Sequence, residues 1–134
     1  MPNLTYRTLV ETPSRKPLIF VNGSIKSPPF TKEGRIEAGR LLRRLQEGES
    51  LGMPHSRPMR DVGPKCHELR VADEEHNWRI MYYLDTTAVV VLDVFPKATR
   101  KTPKAVIDKC ARRLATYLDD KRAAEQASLK KKGD

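Results

Sequence analysis

Between Cys66 and Thr102 the chain offers three strand-like runs joined by two short, turn-rich spacers, a spacing that forces it back on itself as a β-meander. In the first run, His67 to Val71, Leu69 and Val71 share one face and Glu68 and Arg70 the other. In the second, Trp78, Ile80, Tyr82 and Leu84 alternate with Arg79, Met81 and Tyr83. The third, Val89 to Phe95, is apolar at nearly every position, the pattern of a strand covered on both faces. Asp-Glu-Glu-His-Asn (73–77) and Asp-Thr-Thr (85–87) have hairpin length and turn chemistry. The expected product is an antiparallel meander carrying arginines on one face. A basic run, Lys97, Arg100, Lys101 and Lys104, follows where the last strand leaves the sheet.

The flanking chain supplies the cover. Residues 1–15 carry prolines and mixed polar residues and read as an extended arm. Leu18 to Val21 is a short apolar run suited to a further strand, closed by the Asn22-Gly23 turn signal. Pro28-Pro29-Phe30 leads to Thr31, a helix N-cap. From Lys32 to Glu47 the period is helical, with Gly34, Ala38, Leu41, Leu42 and Leu45 on one stripe and Ile36 off it, and Gly48 as the stop. Arg40, Arg43 and Arg44 lie off the stripe, on a solvated face or a phosphate-facing ridge. Residues 49–65 have no period and read as a long loop anchored by Met53 and Met59 and projecting His55, Arg57 and Arg60. Thr102-Pro103 opens a second amphipathic helix, with Ile107, Cys110, Ala111, Leu114 and Leu118 on its apolar stripe. Apolar content falls after Asp119, so residues 121–134 are expected to be a basic, disordered tail behind a domain spanning 16–120. The fold class expected is α+β: a small, mainly antiparallel four-stranded sheet with helices packed on one face.

Charge narrows the function. Lys and Arg number 26 against 17 Asp and Glu, a net +9. Residues 121–134 hold five basic and two acidic side chains, or +3, so +6 stays on the preceding 120 residues. A body this basic, with a pI of about 9.8, favours a polyanionic partner. Two cysteines, Cys66 and Cys110, make neither a disulfide framework nor a four-ligand zinc site and read as small buried hydrophobes. No pair of the three histidines has metal-ligand spacing, and no metal or other cofactor is expected. There is no P-loop, dinucleotide-binding glycine pattern, nucleophile elbow or HExxH. The chain has no apolar run of about 18 residues and no signal-peptide pattern, so no membrane association and a cytoplasmic location are expected.

A basic cleft without metal ligands suits RNA cleavage by the substrate's own 2′-hydroxyl. The protein then has to align that hydroxyl, stabilise the added charge on phosphorus and move two protons. Strand alternation brings Arg70, Arg79 and Asp93 toward one open face, where they form either part of such a site or a structural Arg–Asp pair that orients the strands. His67, at the start of a strand beside Arg70, is a candidate proton carrier or a structural histidine.

The segments CHELR, WRIMYYLD and VVVLDVFPKATRKTPKAVIDKCARRLATYL, with GSIKSPPFT, EAGRLLRRLQEGE and LGMPHSRPM, resemble the RelE/ParE toxin superfamily, in particular its phage-derived HigB-like branch, over about residues 16–119. The resemblance implies a type II toxin of a toxin–antitoxin pair, a metal-independent endoribonuclease that cleaves mRNA on the ribosome, and a cognate antitoxin encoded nearby. It places Arg79 at a recurrent active-site position, and Lys97 and Arg100 in the basic segment after the last strand. Tyr83 stands where many relatives have Arg, and Pro96 and Ala98 interrupt a usual lysine-rich VFxKKT, so two cations are missing. The expected catalytic set is Arg79, Lys97, His67 and Arg70, and the RNA-binding set is Arg100, Lys101, Lys104 and Arg57. Two other readings fit the same residues: a ParE-like inhibitor of DNA gyrase, and a nucleic-acid-binding protein without catalysis.

Overall fold

Strand β5 (Val89–Pro96) explains the architecture, because both its edges and both its faces are used. The computed structural model describes residues 15–21, 30–73, 77–97 and 100–133. The arm before residue 15, the Asn22-Gly23 turn, Pro28-Pro29, His76 and Ala98 lie outside these residues. The described residues form β1 (Leu18–Phe20), α1 (Lys32–Gln46), β2 (Ser56–Pro58), β3 (Cys66–Val71), β4 (Trp78–Leu84), β5 and α2 (Lys104–Gly133). The sheet order is β1-β5-β4-β3-β2, with β1 parallel to β5 and the other pairings antiparallel.

The meander is as expected, but the sheet is five-stranded and mixed rather than four-stranded. The added strand, β2, comes from the 49–65 segment, where Ser56 pairs with Leu69 and Pro58 with His67. Ser-Arg-Pro has no strand propensity of its own, so the exposed edge of β3 decides its conformation. Met59 anchors this segment in the core, whereas Met53 is exposed.

The helices do not share a face. α1 lays Ala38, Leu41, Leu42 and Leu45 against Leu69, Val71, Ile80, Val89 and Val91. α2 lays Cys110 and Leu114 against the other side, with Cys66, Met81, Val90 and Leu92. Two covered faces are what an uninterrupted apolar strand requires. Thr31 caps α1, accepting from the Gly34 N–H at 3.1 Å, and Ile36 points to solvent. Asp73, at the end of β3, accepts from the Thr31 N–H at 3.0 Å, from the Thr31 hydroxyl and from Trp78 Nε1 at 3.2 Å. A side chain at Gly34 would overlap the Asp73 carboxylate, so glycine is required for this close approach. Gly48, at φ +90°, ends the helix in the left-handed region.

A bulge in β5 changes the side chains that face α2. Met81 pairs with Asp93 but Tyr82 with Val91, so Leu92 is an extra residue. Simple alternation puts Asp93 with Val89 and Val91; the bulge moves it to the α2 face, where Lys109 (2.9 Å) and Arg113 (3.3 Å) hold it. α2 also runs further than expected. It continues from Asp119 to Gly133 with exposed side chains at 122–130, built from the strong helix formers Ala, Glu, Gln, Leu and Lys. Cys66 and Cys110 are buried in the α2-side core, and burial pushes their thiols up to about 11 and about 12.

Candidate nucleic-acid interface

At the β2 side of the α2 face, beyond the first turns of α2, the sheet carries polar side chains instead of core. Alternation along β3 sends Cys66, Glu68 and Arg70 to this face, and the β3–β4 register sets Arg70 opposite Arg79. β2 contributes Arg57, opposite Glu68. The basic segment between β5 and α2 folds over the result: Glu68, Arg79, Lys97, Arg100, Lys101 and Thr102 line one small pocket of about 10 Å³.

Glu68 is the centre of the cluster. Its side chain is 2% exposed, yet it is a carboxyl group. Arg57 Nε donates to its Oε1 at 3.2 Å, Arg79 Nε faces the same oxygen at 3.5 Å, and the Thr102 hydroxyl donates to Oε2. A carboxylate this deep is tolerable only when paired and hydrogen-bonded. Arg79 is itself buried, at 8% exposure, and its Nη1 donates to the Trp78 carbonyl at 3.2 Å. Burial pulls the Arg79 guanidinium below its usual value, Glu68 pulls it back up, and Arg70 and Arg57 add to the depression. The group stays cationic at neutral pH, and of its five N–H donors some remain for an incoming anion. Arg70 Nε is buried with no hydrogen-bond partner among the described residues.

The structure therefore brings together Arg57, Arg70, Arg79, Lys97, Arg100 and Lys101. Lys104 lies one step further along, in an adjoining groove that shares Lys101 and Thr102 with this pocket. His67 does not join them. It stacks on Tyr82, ring centroids 5.4 Å apart, and Tyr82 belongs to the α1-side core. Its imidazole thus lies across the sheet from Arg79, and burial lowers its pKa. Asp93 shares the α2 face but its ion pairs go to α2. Sequence reasoning missed Glu68 and Thr102. Glu68 was placed on the correct face, with Arg70, but given no role. The usable signal was a lone acid between strand arginines in a basic chain, on a face that also carries Met81.

This arrangement can bind and polarise a phosphodiester. Guanidinium groups and two ammonium groups surround one carboxylate, so the pocket keeps a positive excess over Glu68. Among the described residues no helix is long and apolar enough to cross a membrane, and no group of three His, Cys, Asp or Glu side chains is placed to hold a metal ion. A comparison with curated proteins finds no match. Residues 29–115, well over half of the chain and including every residue of the pocket, match the model of the family described as Phage derived protein Gp49-like (DUF891), and the chain belongs to that family.

Proposed function

We propose that this protein is the toxin of a toxin–antitoxin pair and a metal-independent endoribonuclease acting on mRNA at the ribosome in the cytoplasm. Membership of the Gp49-like family, a RelE-like toxin family, supports the first part. One observation carries the second: a buried carboxylate held between two arginines, with a hydroxyl donating to its second oxygen, under a rim of lysine and arginine. In this reading Thr102 Oγ1 occupies the position from which a ribose 2′-hydroxyl donates. The enclosed space has room for about one water molecule, so RNA enters by displacing that contact.

Glu68 then accepts the 2′-hydroxyl proton, O2′ bonds to phosphorus, and the P–O5′ bond breaks. Lys97 gives a proton to the departing O5′. Arg79, with Arg57 and Arg70, carries the extra charge on the phosphorane, and Arg100 and Lys101 hold the flanking backbone. The products are a 2′,3′-cyclic phosphate and a 5′-hydroxyl. His67 has no role in this scheme, because Glu68 replaces it as the base. The HigB-like assignment within the RelE-like toxins belongs to the same proposal.

The partner is a cognate antitoxin encoded nearby. An acidic or amphipathic segment that covers the pocket satisfies both its charge and its need to be closed. The test is inducible expression followed by mapping of cellular mRNA 5′ ends. Growth arrest with new ends is expected, and Arg79→Ala should relieve both. A ParE-like inhibitor would instead block supercoiling by DNA gyrase and leave mRNA uncut.

A further inference from the structure

We propose that the groove adjoining the Glu68 pocket holds the base of the nucleotide next to the scissile phosphate, and that Asp61 selects guanine there. This rests on the ribonuclease reading above. The groove measures about 710 Å³ and shares Lys101, Thr102 and Pro103 with the pocket, so a strand engaged at one reaches the other without a break. Part of its lining is apolar: Pro58, buried Met59, Pro103 and half-buried Ile107. Its rim is cationic, with Arg57, Lys101 and Lys104. A volume of this order, a partly apolar lining and rim cations continuous with a phosphate site match a nucleotide, whose base packs on apolar surface while its phosphates stay at the charged edge. An acidic peptide fits less well, because Asp61 meets it as a like charge.

Asp61 is the one carboxylate among the described residues lining this groove. A carboxylate offers two acceptors side by side and no donor. On the Watson–Crick edge only guanine answers with two adjacent donors, N1–H and N2–H. Adenine and cytosine each pair one donor with one acceptor, and uracil sets its single donor between two acceptors. An amide presents one donor beside one acceptor, a pair that every base can answer (guanine through O6 and N1–H, uracil through O4 and N3–H), so Asp61→Asn removes the selection for guanine. Asp61 is exposed, so the substitution leaves the core untouched.

The experiment measures binding of the full-length protein to short fluorescent RNAs by anisotropy. The RNAs carry 2′-O-methyl groups to prevent cleavage and differ at one base, and cleavage of the unmethylated versions is followed in parallel. The wild type should prefer guanine by roughly tenfold or more, Asp61→Asn should lose most of that preference so that the four bases bind alike, and Lys104→Glu should weaken all RNAs alike. Wild-type protein that binds and cuts RNA without preferring guanine, or an Asp61→Asn variant with unchanged ranking, overturns this inference and leaves the nuclease reading standing. Wild-type protein that neither binds nor cuts any RNA, free or on the ribosome, overturns both.

Discussion

Two buried carboxyl side chains, Glu68 and Asp85, lie on the same face of the sheet and do opposite things. Asp85, at the β4–β5 turn, is 6% exposed. It accepts from the Tyr117 hydroxyl at 2.7 Å, from Lys121 Nζ at 2.8 and 2.9 Å, and from the Thr86 N–H at 2.8 Å. One acid meets one lysine, every neighbour is a donor, and the net result is a neutral clamp that ties α2 to the hairpin. Glu68 has a hydroxyl too, but it meets two arginines, stands among cations that outnumber it and lies beside a pocket. Burial with partners is thus not the sign of a site; an excess of cations over the one buried acid is.

The largest effects that separate the two carboxylates are catalytic. Glu68→Gln keeps the shape but removes the carboxylate that the proposed mechanism uses as base, and should lower RNA cleavage by about 10²–10⁴-fold in an assay with purified protein. Arg79→Ala should cost about 10²–10³-fold by loss of transition-state charge stabilisation, while circular dichroism stays native. Arg57 and Thr102 still hold Glu68 in that variant. Asp85→Ala should do the reverse. It leaves Tyr117 and Lys121 without their acceptor and should cost about 1–3 kcal/mol in urea unfolding, with cleavage per folded molecule unchanged.

The smallest effect is the part of the pH dependence that Asp85 contributes. Burial alone would raise its pKa, but Lys121, Tyr117 and the Thr86 N–H together bring it below the usual 3.8. A carboxyl whose folded pKa is depressed stabilises the fold above its unfolded value, and that stability is lost as pH falls through the folded one. Wild-type protein should therefore lose stability on acidification below about pH 4, and Asp85→Asn should lack this portion of the loss in a melting series. An equal acid response in the two proteins would make Asp85 an ordinary solvated group and remove the contrast with Glu68.

Much of the frame was legible because it follows from periodicity. The α1 stripe from Gly34 to Leu45, the Thr31 cap, and strands β3, β4 and β5 stand within a residue of their expected limits. The apolar run of β5 also announced two covered faces, and placing both helices on one face ignored that requirement. Other features have no local signal. β2 exists because β3 has an edge to fill, and the bulge at Leu92 moves Asp93 without any mark in the residues around it. The last turns of α2 rest on helix propensity in a stretch without apolar period, so a search for buried stripes stopped too early. At the site, Arg79, Lys97, Arg100 and Lys101 were legible as a basic cluster. Glu68 was not, because charged residues are read as solvated until tertiary neighbours are known. His67 was misplaced relative to Arg79 because adjacent strand residues point to opposite faces.

The decisive measurement is end-group analysis of a defined RNA incubated with purified protein, as free RNA in the presence of a chelator and as ribosome-bound RNA in magnesium buffer. Fragments ending in 2′,3′-cyclic phosphate and beginning with 5′-hydroxyl are expected from the wild type, with Glu68→Gln and Arg79→Ala leaving the RNA intact. Intact RNA with the wild type, on and off the ribosome, or undiminished cutting by Glu68→Gln, would contradict the assignment of Glu68 and its arginines as a phosphodiester-cleaving centre.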